Sequence, residues 1–150
     1  MTGPKLTRAG GFGGGQRFRK RAAKMPGAEL EHLILGLLGQ DTVPLSAYQL
    51  LAALRDRGRP VPVMSIYRAL DRLIARDQVQ RVGTLAAFRI KDQDRAMLVI
   101  CVQCGQTTAV PVPDLYAALR RIVADRMFTP TDLVIEASGR CASCHANPGA

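Results

Sequence analysis

Two Cys-x-x-Cys pairs, Cys101/Cys104 and Cys141/Cys144, constrain this chain more than any other feature, because they use every cysteine in its 150 residues. Each pair can wrap a short knuckle so that both sulfurs face one ion, and two knuckles complete a tetrahedral shell of four thiolates. Soft donors in a closed four-coordinate shell suit Zn(II) and leave no position open for water or substrate. Residues 105–140 separate the pairs, a longer span than a compact zinc ribbon, which fits a helix and a strand lying between the knuckles. A thiol-disulfide redox site and a sulfur-ligated iron site use the same pattern. A redox pair, however, opens a helix after a strand, so that the helix N-terminus lowers the thiol pKa. Here Gly105 and Gln106-Thr107-Thr108 begin another strand. The expectation is one structural zinc per chain.

The charge is unevenly placed. Of the 21 basic residues, Lys5, Arg8, Arg17, Arg19, Lys20, Arg21 and Lys24 fall in the first 26 positions, which hold none of the 12 acidic ones. That segment reads as a disordered Gly/Arg-rich tail over residues 1–26, ending at Pro26-Gly27. A polyanion such as DNA is the partner it fits. Its glycine-rich centre offers no apolar helical face to a membrane. No apolar run nears the roughly eighteen residues that cross a bilayer. No apolar stretch follows the basic N-terminus either, so the expected compartment is the cytoplasm, where thiols stay reduced.

Leu30, Leu33, Ile34, Leu37 and Leu38 recur at helical spacing and predict a helix over residues 28–38. Ser46 caps a second helix over 47–57, with Leu50, Leu51 and Leu54 inward and Gly58 at its end. A third runs over 65–76, with Ile66, Leu70, Leu73 and Ile74 as one apolar stripe. Strands over 79–82 and 86–90 follow, joined through Gly83-Thr84. Helix, helix, helix, hairpin is the order of a winged helix-turn-helix, assigned to residues 27–91. The third helix leaves Ser65, Tyr67, Arg68 and Arg72 toward its front and flanks, groups that bond guanine edges, thymine methyls and phosphates in a major groove. Residues 95–145 predict a small α+β unit: strands over 96–102 and 107–112, a helix over 114–126 and a strand over 133–137. The buried side of that helix would be Leu115, Ala118, Leu119, Ile122 and Val123. Such a unit needs a metal staple, a dimer partner, or both. No P-loop, G-x-G-x-x-G, H-E-x-x-H or nucleophile-elbow motif is present, so neither an enzyme nor a small-molecule substrate is expected.

Together these residues resemble the ferric uptake regulator (Fur) family, and within it the zinc uptake regulator branch. The likeness is carried by Leu45-Ser46-Ala47-Tyr48-Gln49-Leu50-Leu51, Ser65-Ile66-Tyr67-Arg68-Ala69-Leu70-Asp71-Arg72-Leu73, Ala87-Phe88, Ile100-Cys101 with Cys104-Gly105, and Gly139 with Cys141 and Cys144. The resemblance implies a homodimer of winged helices joined through C-terminal domains, binding palindromic operators on double-stranded DNA. It also implies that the four cysteines hold structural zinc and that Tyr67 and Arg68 lie in the DNA-reading helix.

The family's second, exchangeable metal site is poorly matched. Its places read Gln80, residues 88–91, Asp92-Gln93-Asp94-Arg95 and Ala109, and the chain has only two histidines, His32 and His145. Carboxylates without imidazole make a poor transition-metal sensor. The expectation is therefore a repressor of this family with structural zinc and little or no direct metal sensing. The alternatives are a metal-responsive repressor using a displaced accessory site of Asp92, Asp94 and His145, a partner in mixed dimers, and a thiol-redox protein.

Overall fold

The computed structural model describes residues 25–146, so nearly all of the basic tail expected over 1–26 lies outside the described residues. Three helices come first, α1 (Gly27–Leu38), α2 (Ala47–Asp56) and α3 (Val63–Ala75). Their apolar stripes meet in one core built on Ile34, Leu50, Leu54, Ile66, Leu70 and Leu73. Ser46 starts α2 through a reciprocal capping box: its hydroxyl accepts the Gln49 N–H, and the Gln49 side chain accepts the Ser46 N–H. Gly58 ends it with φ +69°, a left-handed conformation that a side chain would strain. α3 starts two residues before the expected Ser65. Pro62, with φ fixed at −64°, leads into it and accepts the Ser65 N–H at 2.9 Å. Ile74, expected inward, is 37% exposed on the far side of the stripe.

The wing is an antiparallel pair, β1 (Val79–Val82) and β2 (Ala87–Ile90), with Val79 opposite Ile90. Its turn is longer than Gly83-Thr84: Ala86 donates its N–H to the Gly83 carbonyl and itself takes the left-handed conformation at φ +48°.

The second half contains β3 (Ala96–Cys101), β4 (Thr107–Pro111), α4 (Pro113–Ala124), β5 (Glu136–Gly139) and a short α5 (Ala142–Ala146) that the sequence does not signal. β3 is central, antiparallel to β4 and parallel to β5. The last strand starts later than residue 133, because the Leu133 carbonyl accepts the Tyr116 hydroxyl at 2.8 Å instead of joining the ladder. The expected buried face of α4 is not buried: Leu115 is 42% and Ile122 59% exposed, since nothing among the described residues covers it.

The two halves meet through a small second core. Val82 of the wing packs with Leu98 and Ile100 of β3, flanked by Leu85 and Ala109. No described helix is long and apolar enough to cross a membrane.

Candidate metal centre and nucleic-acid interface

β3 delivers Cys101, buried at its last residue, to the foot of a tight turn. Gly105 closes that turn by donating its N–H to the Cys101 carbonyl at 2.8 Å. Its φ of +77° needs glycine, and a Cβ there would lie 3.2 Å from Val43 Cγ1. The second pair is brought alongside because β5 runs parallel to β3, with Val102 donating to the Gly139 carbonyl at 2.9 Å. Cys141 then leads into α5, which carries Cys144. All four sulfurs lie within 4.8 Å of one another, with Cys104 and Cys141 Sγ 4.0 Å apart. Zinc–sulfur bonds of about 2.3 Å imply tetrahedral edges of about 3.8 Å, so the quartet matches a zinc shell of four thiolates.

The thiols differ electrostatically. Backbone N–H groups of Cys104 and Cys141 aimed at the Cys101 sulfur bring it down to about 6, whereas a hydrogen bond with the Cys141 sulfur and then burial push Cys144 up to about 12. Four thiolates this close repel one another unless a cation sits among them, and a divalent ion removes that conflict. The first pair also leads into β4 rather than into a helix, the setting of a zinc knuckle.

α3 presents the other surface. Ile66, Ala69, Leu70 and Leu73 are buried beneath it, while Tyr67 and Arg68 face outward and Ser65 is half-buried near its start. Arg72 is exposed on the flank of the helix, as expected, and is also engaged in an ion pair. Its Nε donates to Glu31 Oε1 at 2.5 Å, and Arg76 donates to the other oxygen of the same carboxylate. Glu31 is a buried residue on α1, and the Arg76 and then the Arg72 hydrogen bonds hold its carboxyl below the ordinary glutamate range. Arg72 therefore braces the helix against α1. Nothing local in the sequence signals this, because the partner lies on another helix.

The description of the ferric uptake regulator family matches residues 31–138. The chain belongs to that family. Its members are dimeric DNA-binding transcription regulators, not enzymes. The chain is 28% identical over 116 residues to the zinc uptake regulation protein of Escherichia coli K12, covering 74% of this chain and 68% of that one. It is 26% identical over 106 residues to the ferric uptake regulation protein of Neisseria meningitidis serogroup B, covering 68% and 73%. Among solved structures, a zinc uptake regulator complexed with zinc and DNA superposes with a TM-score of 0.73 at 26% identity, over 81% of this chain and 84% of that one.

Within this Fur-family chain the hinge after the wing carries ion pairs. Arg89 grips Asp92 with two bonds of 3.0 Å, and Lys91 binds Asp77 at 2.5 Å and Asp94 at 2.8 Å. Asp92, Asp94 and His145 are not brought together. Among the described residues, the four cysteines are the one group of three or more metal-ligating side chains.

Sequence reasoning also missed Glu136. From the first position of β5 its carboxylate accepts the Gly83 N–H at 2.6 Å, the Thr84 N–H at 2.8 Å and the Thr84 hydroxyl at 2.6 Å. One side chain thus clamps the wing turn to the second half of the chain.

Proposed function

We propose that this chain is a homodimeric, cytoplasmic repressor that reads a palindromic operator and uses zinc for structure rather than for sensing. Residues 27–91 act as the DNA-binding unit and 95–145 as the dimerisation unit. The observation that carries the reading is the contrast between the two ends of β3. At its C-terminal end four thiols converge on one closed site. Ahead of its N-terminal end the hinge carboxylates Asp92 and Asp94 are already neutralised by Arg89 and Lys91. A second metal ion would have to displace both cations, and among the described residues no group of three or more His, Cys, Asp or Glu besides the four cysteines offers it a shell.

Cys101, Cys104, Cys141 and Cys144 hold the zinc. It ties the chain end to the sheet, whose strand β4 bonds the loop after α1 through the Thr107 N–H and the Thr42 carbonyl at 3.2 Å. Ser65, Tyr67 and Arg68 contact DNA from the start of α3, with Arg68 able to bond a guanine bidentately. Arg72 keeps that helix in place and has N–H groups left for a phosphate. The exposed apolar face of α4 is covered by the second protomer.

Selection from random-sequence DNA with the zinc-loaded full chain tests the reading. Recovery of one inverted-repeat sequence, bound at nanomolar protein without added metal, is the expected result. Recovery of no preferred sequence would leave this chain a partner in mixed dimers rather than an operator reader.

A further inference from the structure

A cavity of about 370 Å³ opens between the two halves of the chain, lined from α3, β1, the hinge, β3, α4 and the approach to β5. Its volume falls in the range that takes a small molecule. Three features separate it from an ordinary interdomain gap.

The first is an unsatisfied donor. Gln80 Nε2, on β1 in the lining, is buried without a hydrogen-bond partner. A buried amide left this way costs about 1–3 kcal/mol, and a turn of the side chain toward the cavity would let an acceptor there remove that cost. The second is charge. Lys91 spends itself on Asp77 and Asp94, and Asp132 accepts the Leu133 N–H at 2.8 Å. Arg81, Arg95 and Arg120 line the same space and form no ion pair among the described residues. The third is backbone strain. Asp77 and Arg95, at φ +61° and +51°, are two of the four described non-glycine residues in the left-handed region, and both line the cavity. Strained residues of this kind gather at ligand clamps.

We propose that this cavity binds a small organic anion. Gln80 Nε2 donates to an acceptor atom in its body, and Arg81, Arg95 and Arg120 hold a carboxylate or phosphate head. Ile74, Val79, Leu98 and Ile135 supply apolar walls for the rest. Because the lining comes from both halves, an occupant would fix the winged helix relative to the dimerisation sheet. That consequence rests on the regulator reading above; binding itself does not.

The test uses the zinc-loaded full chain and two sets of probes that chelate zinc weakly, at constant ionic strength. Benzoate, glutarate and 2-oxoglutarate represent carboxylates; glycerol 3-phosphate and ribose 5-phosphate represent phosphate monoesters. Thermal shift ranks them and titration calorimetry measures the best. At least one is expected to bind with a Kd below about 1 mM, with the stronger set naming the head group. Gln80→Leu and Arg120→Ala should each weaken it at least tenfold. Arg120 is exposed, so its variant keeps the fold even if Gln80→Leu does not.

Two outcomes would overturn the proposal: no probe binding in that range, or equal binding by Arg120→Ala. A third is a second equivalent of Zn(II) entering the same cavity and being lost in Asp94→Asn, which would make it a metal site. Operator affinity measured on the same samples separates the two claims. Anion binding by a protein that reads no DNA would sink the regulator reading and leave this one standing.

Discussion

Replacing Glu136 with glutamine should release the wing turn without unfolding the chain. The carboxylate accepts three hydrogen bonds, from the Gly83 N–H, the Thr84 N–H and the Thr84 hydroxyl, at 2.6, 2.8 and 2.6 Å. Hydrogen bonds to a charged acceptor contribute about 1.5–3 kcal/mol each when dry, and less where water reaches them. A glutamine keeps one oxygen and sets an NH2 group against donors. The clamp should weaken by about 2 kcal/mol, which is roughly thirtyfold in the opening equilibrium. Hydrogen exchange reads this directly: the Gly83 and Thr84 amides should lose about thirtyfold protection, while amides of the α1–α3 core keep theirs.

The pH dependence has a definite sign. Burial raises the Glu136 pKa, but the Thr84 hydroxyl and the Thr84 and Gly83 N–H groups outweigh it and leave the pKa below its ordinary 4.5. The clamp is therefore fully present above about pH 4.5 and lost as pH falls through the folded value. The difference in protection between wild type and Glu136→Gln should shrink over that window. Equal exchange of both amides in the two proteins at neutral pH would refute the reasoning.

Glu31→Ala removes the shared partner of Arg72 and Arg76 and should destabilise the helical half by about 1–3 kcal/mol, seen as a Tm several degrees lower; an unchanged Tm would mean the brace does little. Leu115→Asp with Ile122→Asp places charge on the uncovered face of α4 and should convert a dimer to a monomer by sedimentation while zinc stays bound. Arg68→Ala should cost about 1–3 kcal/mol of operator affinity with unchanged thermal stability, because the residue is exposed.

What the sequence makes legible is local or periodic. Ser46 and Gln49 announce the start of α2, because a capping box is written in neighbouring residues. The wing strands lie close to the expected 79–82 and 86–90, with β2 starting at Ala87, and the cysteine quartet follows from two short spacings that β5 brings together. β5 starts at Glu136 rather than Leu133, because Tyr116, distant in sequence, takes the Leu133 carbonyl. The turn of the wing is longer than the expected Gly83-Thr84, because Ala86 takes the left-handed conformation and bonds back to the Gly83 carbonyl. The face of α4 reads as core in the sequence and is left exposed in the single chain. The Glu31 brace, the Glu136 clamp and the hinge cavity join residues far apart in sequence, and no short-range pattern encodes them.

Structural zinc at Cys101, Cys104, Cys141 and Cys144 and a hinge that does not sense metal make one joint prediction. Operator affinity of protein holding one zinc per chain, measured as free Zn(II) rises from nanomolar to micromolar, should stay flat. Affinity should be lost only when a chelator strips the first zinc and the C-terminal sheet loosens. A tightening of about tenfold or more on binding a second equivalent would contradict that prediction.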